Sequence, residues 1–259
     1  NAYVGIMRQH DDYDHDLLLR YDNGGSWTTE ILEEDTAGGS FDMAINSSGV
    51  LHMCTYNKVY WRTAPGTWQY IEYGDYNDYD ESNSLKLIFD EDDNIHIFNA
   101  IYNPGYYSSR TQHAKYNILS STWSYETLSI PGGQKVTAAI DKNQIIYVSG
   151  FSGTPGEPLN IISGYKGANW SDPESISGQY GNLWLRATPN PQLSYITLLT
   201  TDESTLFLVQ GFSESTGSSE IEVTGGVYYY NATKVEEGIQ VIAIQNDKPF
   251  NAATNSTGD

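Results

Sequence analysis

Five segments of the chain align with one another without a gap, and nothing else in the sequence constrains the fold as strongly. They begin at Phe41, Leu85, Val136, Trp184 and Gln240 and share a position filled by His52, His96, Tyr147, Tyr195 and Asn251. Successive starts lie 44, 51, 48 and 56 residues apart, the size of a four-stranded propeller blade. Each segment reads as an apolar strand, a short turn rich in Asn, Asp, Pro and Gly, and a second strand, the signature of a β-hairpin. Several first strands are apolar on both faces, as in Met43-Ala44-Ile45, Leu87-Ile88-Phe89, Ala138-Ala139-Ile140 and Ile242-Ala243-Ile244. Such strands belong between neighbouring sheets, where both faces are covered.

A second hairpin follows in most units, marked by an aromatic residue and then a tryptophan: Tyr21 and Trp27, Tyr60 and Trp68, Tyr116 and Trp123, Tyr165 and Trp170. The expected fold is therefore all-β, a single domain over residues 1–259 forming a five-bladed β-propeller. Six blades are the alternative, if residues 220–235 and 240–254 belong to different sheets. The N-terminal 1–35 resembles the second, third and fourth strands of a unit, whereas the C-terminus stops after a first strand. The ends are thus expected to share one blade, closing the ring and leaving no exposed sheet edge. The four tryptophans are expected to occupy equivalent buried places between blades.

Composition narrows the partners. The formal charge is −20, from 13 Lys plus Arg against 33 Asp plus Glu, which repels nucleic acid and anionic membrane surfaces. Apolar runs such as Val241–Ile244 are far shorter than the roughly 20 residues of a membrane helix, so no membrane span is expected. The single cysteine, Cys54, allows no internal disulfide and reads as a small buried hydrophobe. The chain begins at Asn1, which suits a processed mature protein or an excised fragment, and a secreted or cell-surface location is expected. Asn46, Asn169, Asn231 and Asn255 stand in N-glycosylation acceptor triplets.

Arg20-Tyr21-Asp22-Asn23-Gly24-Gly25-Ser26-Trp27 resembles the Asp-box turn of the sialidase-like (bacterial neuraminidase repeat) β-propellers, with Arg20 departing from its first position. The resemblance implies that Asp22 accepts backbone hydrogen bonds and that Trp27 packs between blades. It implies fold and not activity. A sialidase site would need three arginines on the substrate carboxylate, a Tyr nucleophile with a Glu partner, and an Asp acid; the chain offers Arg8, Arg20, Arg62, Arg110 and Arg186, of which Arg20 and Arg62 sit beside third-strand aromatics.

Five-bladed glycosidases use inner-strand carboxylates, for which Asp42, Asp90 and Asp141 are the candidates. Asp90 and Asp141 fall where a strand meets its turn, a place where Asp caps backbone N–H groups, and Asp42 sits at another repeat position. Asp12, Asp14 and Asp16 alternate like the oxygen ligands of a calcium loop, so calcium is the one cofactor considered. The chain is rich in tyrosine, with 21, and Tyr73, Tyr76 and Tyr79 alternate with acidic residues including Asp78 and Asp80 in a connection between blades. Aromatic faces stack on sugar rings and carboxylates bond hydroxyls, so this loop is expected to bind a glycan or a partner protein. A non-catalytic extracellular binding or adhesion propeller is the leading reading, ahead of a propeller-type glycoside hydrolase and a structural subunit of a surface or filament assembly.

Overall fold

The structure is a computed structural model that describes residues 2–9, 14–22, 24–37, 40–74, 81–103, 108–130, 135–151, 159–176, 183–187, 195–201, 206–212, 240–245 and 248–253. Every regular element among them is a strand. The first sheet is a meander of β1 (Tyr3–Gln9), β2 (Asp14–Asp22) and β3 (Trp27–Ala37). The second comprises β4 (Asp42–Ile45), β5 (Leu51–Cys54), β6 (Lys58–Ala64) and β7 (Thr67–Glu72). The third has β8 (Glu81–Phe89), β9 (Ile95–Asn103), β10 (Ser108–Asn117) and β11 (Thr122–Leu128). The fourth has β12 (Lys135–Ile140), β13 (Ile145–Phe151), β14 (Leu159–Tyr165) and β15 (Glu174–Ile176). The fifth joins β16 (Leu183–Ala187), β17 (Tyr195–Thr201), β18 (Leu206–Phe212), β19 (Gln240–Gln245) and β20 (Lys248–Ala253). First strands of consecutive sheets meet, β4 on β8, β8 on β12 and β12 on β16. This succession of largely antiparallel sheets, meeting through their first strands from the second sheet to the fifth, is the propeller architecture expected from the repeat.

The alternation of side chains along each strand explains the packing. Leu51 and Met53 of β5 join Leu17, Leu19, Tyr21 and Tyr60 against the first sheet. Cys54 instead joins Leu85, Leu87, Ile95 and Ile97 of the third sheet, and His52 meets Phe89 edge-on, ring centroids 4.8 Å apart. In the third sheet the other face, with Ile88, Phe98 and Ala100, packs on Val136, Ala138, Ile146 and Val148 of the fourth. A strand covered on both sides must be apolar in both registers, which is why the inner strands show no clean polar alternation.

Three of the four tryptophans lie in these seams. Trp68 packs on the first-sheet cluster and donates its indole N–H to Glu30 Oε2 at 2.9 Å. Glu30 also accepts from Arg62 and from the Gly66 N–H, both at 2.7 Å. Trp170 repeats the arrangement one seam further on, donating to Glu126 Oε1 at 2.8 Å while packing on the cluster of Ile88, Phe98 and Val136. Glu30 and Glu126 each follow their own sheet's tryptophan, Trp27 and Trp123, by three residues. In the second sheet that position is Ile71, and there the incoming Trp123 packs with the apolar cluster instead, its ring 5.2 Å from that of Tyr73. Trp27 departs from the expectation. It is 48% exposed, with the Arg20 guanidinium 5.6 Å over its ring.

Closure through the ends is likewise corrected. β19 pairs with β20 on one side and, in parallel through Gln210↔Ala243 and Gly211↔Ile244, with β18 on the other. The first sheet therefore has three strands, and the C-terminal hairpin covers the edge that β18 would otherwise leave unpaired. The Asp-box-like turn behaves as its resemblance implies at Asp22, whose Oδ1 accepts the Gly25 N–H at 2.8 Å, but not at Trp27.

Removal of a seam tryptophan leaves a cavity and takes one hydrogen-bond donor from the seam carboxylate. Trp68→Ala and Trp170→Ala should each destabilise by about 3 kcal/mol, whereas Trp27→Ala should cost less than about 1 kcal/mol. Urea titration of the three variants checks the ranking; equal losses would refute the seam assignment.

Candidate functional site

The connection leaving β7 was the sequence's candidate binding loop. Its first member, Tyr73, is 3% exposed, so its role as a ligand platform is corrected to one of packing. The Tyr73 hydroxyl donates to the Thr55 carbonyl at 2.5 Å, and its N–H donates to the Asn57 carbonyl at 2.8 Å. The ring abuts Trp123, and Trp123 in turn stacks on Tyr125, centroids 6.2 Å apart at 19°. Tyr125 is 44% exposed, and its hydroxyl accepts the Gly74 N–H at 3.1 Å. A buried tyrosine, a half-buried tryptophan and an exposed tyrosine thus form a ladder rising to the surface where segment 75–80 departs. Tyr76, Asp78, Tyr79 and Asp80 lie outside the described residues. Sequence reasoning missed Tyr125; the signal was its place two residues after Trp123 on an outer strand, where the side chain must emerge on the same face.

The carboxylates weighed for hydrolysis have structural partners. Asp42 pairs with Lys86 Nζ at 2.9 Å and accepts the Leu87 N–H at 2.8 Å, tying the second sheet to the third. Asn46, Asp90 and Asp141 occupy one repeat position and each accepts the N–H of the residue four further on, Val50, Asn94 or Ile145, at 2.9 Å. They cap the turns of the inner hairpins. Burial alone would raise the Asp90 carboxyl, but bonds from His96 and Asn94 hold it far below the usual carboxylate range.

The calcium expectation meets the same kind of obstacle at Asp16. Its carboxylate is buried and paired with Arg8; that cation neutralises the charge a metal would use. Asp14 lies at the start of β2, and Asp12 falls outside the described residues, among which no cluster of three candidate metal ligands occurs. Of the glycosylation acceptors, Asn46 is the turn cap just described, Asn169 is exposed with φ 53°, and Asn231 and Asn255 lie outside the described residues.

A second polar assembly lies inside the third sheet. His96 and His113 stand on adjacent strands in the register His96↔Lys115 and Phe98↔His113, which makes them diagonal neighbours on one face. Their rings are parallel within 5°, with His96 Nδ1 3.0 Å from His113 Nε2. Asp90 Oδ2 lies 3.3 Å from His96 Nε2, and Glu126 Oε1 lies 2.8 Å from His113 Nδ1. His52, at the repeat position of His96, instead places Nδ1 3.0 Å from its own turn's Val50 carbonyl. Both histidines of the repeat position are thus engaged in packing and hydrogen bonding, His52 against Phe89 and its own turn and His96 with Asp90 and His113.

No protein-family model matches the chain, and no curated protein sequence does. Among solved structures, an α-L-arabinanase of Penicillium chrysogenum complexed with arabinobiose is similar at 12% identity and a TM-score of 0.46, over 76% of this chain and 69% of that one. Likeness at that level assigns no activity here.

Cys54 is fully buried, and burial pushes its thiol well above the ordinary range, with the Asp42 charge adding to the effect. It should not react with an aromatic disulfide reagent in the native protein and should react at once in denaturant; labelling without denaturant would contradict its placement.

Proposed function

We propose that the chain is a binding or adhesion module displayed outside the cytoplasm, and that its ligand is a glycan held against aromatic rings at the root and along the length of segment 75–80. The observation that carries this reading is the Tyr73–Trp123–Tyr125 ladder. An interior aromatic pair fixes the exposed ring of Tyr125, so a flat apolar face is held rigidly at the surface with little entropy left to lose on binding. The segment that begins beside it adds two tyrosines and acidic oxygens in sequence, and those oxygens accept hydrogen bonds from sugar hydroxyls around a stacked ring. Binding is favoured over hydrolysis because the inner-strand carboxylates Asp42, Asp90 and Asp141 are engaged by a lysine, a histidine or backbone N–H groups.

A glycan array probed with the wild type should show a defined set of bound sugars, and Tyr125→Ala or the pair Tyr76→Ala and Tyr79→Ala should weaken that binding at least tenfold with an unchanged melting temperature. Retained binding in both variants would overturn the site. Binding to no glycan, with capture of a partner protein, would overturn the ligand class. Release of sugar from an oligosaccharide panel, abolished by Asp90→Ala, would overturn the non-catalytic reading.

A further inference from the structure

Asp90, His96, His113 and Glu126 form three consecutive junctions, each within hydrogen-bond reach. Each junction needs one proton between its two heavy atoms, and two neutral imidazoles bring two. The count is one short. If the missing proton is absent, two lone pairs face each other somewhere along the string. His96 and His113 are 0% and 2% exposed, so water is not available to relieve that contact. We propose that the His96–His113 pair holds one proton beyond two neutral rings, shared across the 3.0 Å gap between Nδ1 and Nε2, and that this proton latches the fourth sheet onto the third until acidification adds another.

The charges around the pair suit a single added proton. From the turn between β8 and β9 come Asp90, Glu91 and Asp92; from β10, Lys115; from β11, Glu126; from the turn after β14, Lys166. Asp90 and Glu126 bracket the rings with two negative charges. Lys115 Nζ stands 4.0 Å from Asp90 Oδ2 and donates to the Lys166 carbonyl at 2.9 Å. Lys166 is turned outward to Asp92 and Glu91, at 2.7 and 2.8 Å. One shared proton brings the two carboxylates, the pair and Lys115 to balance. Burial pushes each ring below the ordinary histidine range, the carboxylates pulling the other way and Lys115 adding to the effect of burial. A second proton on the pair would set two N–H groups and two cations face to face.

The fourth sheet closes over this pair. A Cβ on Gly167 would lie 2.8 Å from His113 Cε1 and 2.9 Å from His96 Nδ1, and the residue has φ +69°. Trp170 meets His113 edge-on at 5.5 Å and shares Glu126 with it. Any separation of the two rings therefore acts on the turn and on the seam tryptophan together.

The sign follows from the proton count. The folded pair binds one proton over a wide range, whereas two ordinary histidines of the unfolded chain bind two well below about pH 6.5 and none well above it. Stability should therefore peak near pH 6.5, falling on the acid side because the unfolded chain takes up more protons and on the alkaline side because the folded pair has one to lose. Two neutral rings would leave stability flat above that pH.

The experiment is ¹⁵N NMR of histidine-labelled protein at pH 7, with urea midpoints for wild type and Glu126→Gln from about pH 5 to 9. The proposal expects one proton coupled to both His96 Nδ1 and His113 Nε2, and a wild-type-minus-variant midpoint difference that is positive around neutrality and shrinks above it. Two neutral rings by nitrogen shift, with a difference that is flat from pH 6.5 upward, would overturn it. If Glu126→Gln does not fold, the wild-type nitrogen spectrum decides by itself.

Discussion

An indole N–H donated to a glutamate of the preceding sheet is the contact on which the assembly of this propeller turns. Trp68 on Glu30 and Trp170 on Glu126 combine two things that seldom coincide, a large apolar area and a charge-assisted hydrogen bond. The carboxylate also gathers other donors of the incoming sheet. Burial works against the charge on Glu30, yet Arg62, Trp68 and the Gly66 N–H together hold its carboxyl below the usual range. The second-to-third seam reaches the same end without the charge, since Ile71 stands where the glutamates do and the Trp123 ring is met by Tyr73. The seam thus tolerates a change of chemistry so long as the indole is covered.

That tolerance bears on where function can reside. Inner strands and seams are committed to one another: Asp42 to Lys86, Asp90 to its turn and to His96, Glu30 to three donors. What is left over is surface, and on this chain it is strongly acidic and marked by outward aromatic rings. Tyr125 gains from the scaffold only its rigidity, through Trp123 and Tyr73 behind it. Such a division spends polar chemistry on assembly and leaves fixed rings at the surface, which is what the proposed binding role calls for.

The hairpins were legible because one physical device fixes their length. Asn46, Asp90 and Asp141 all cap a turn by bonding the N–H four residues on, so inner strands recur in a register that survives alignment without gaps. Closure of the ring was not legible, since the pairing of β19 with β18 or with the N-terminal sheet depends on competition between strand edges and leaves no mark in either strand's pattern. Tyr73 misled for a related reason. Alternation of Tyr with acidic residues looks uniform along 70–80, yet the Thr55 carbonyl draws Tyr73 inward. The His96–His113 pair was hidden because its members come from different strands, and only the cross-strand register sets them diagonal.

The inner turns do more than reverse the chain. Ser47 of the second sheet donates to Asp93 of the third through both its N–H and its hydroxyl, at 2.9 and 2.7 Å, and the Glu91 N–H reaches Gln144 of the fourth at 2.8 Å. Asp93 and Gln144 hold their left-handed backbone, φ 59° and 65°, within these same turns. Antiparallel strands put the connections leaving β7, β9, β11 and β13 at the opposite end of the sheets. An insertion among the linked turns would disturb several blades, whereas one at the far end would burden a single blade. The two ends of this molecule should accordingly drift at different rates, one conserved in length as a chassis and the other free to be rewritten as the ligand changes.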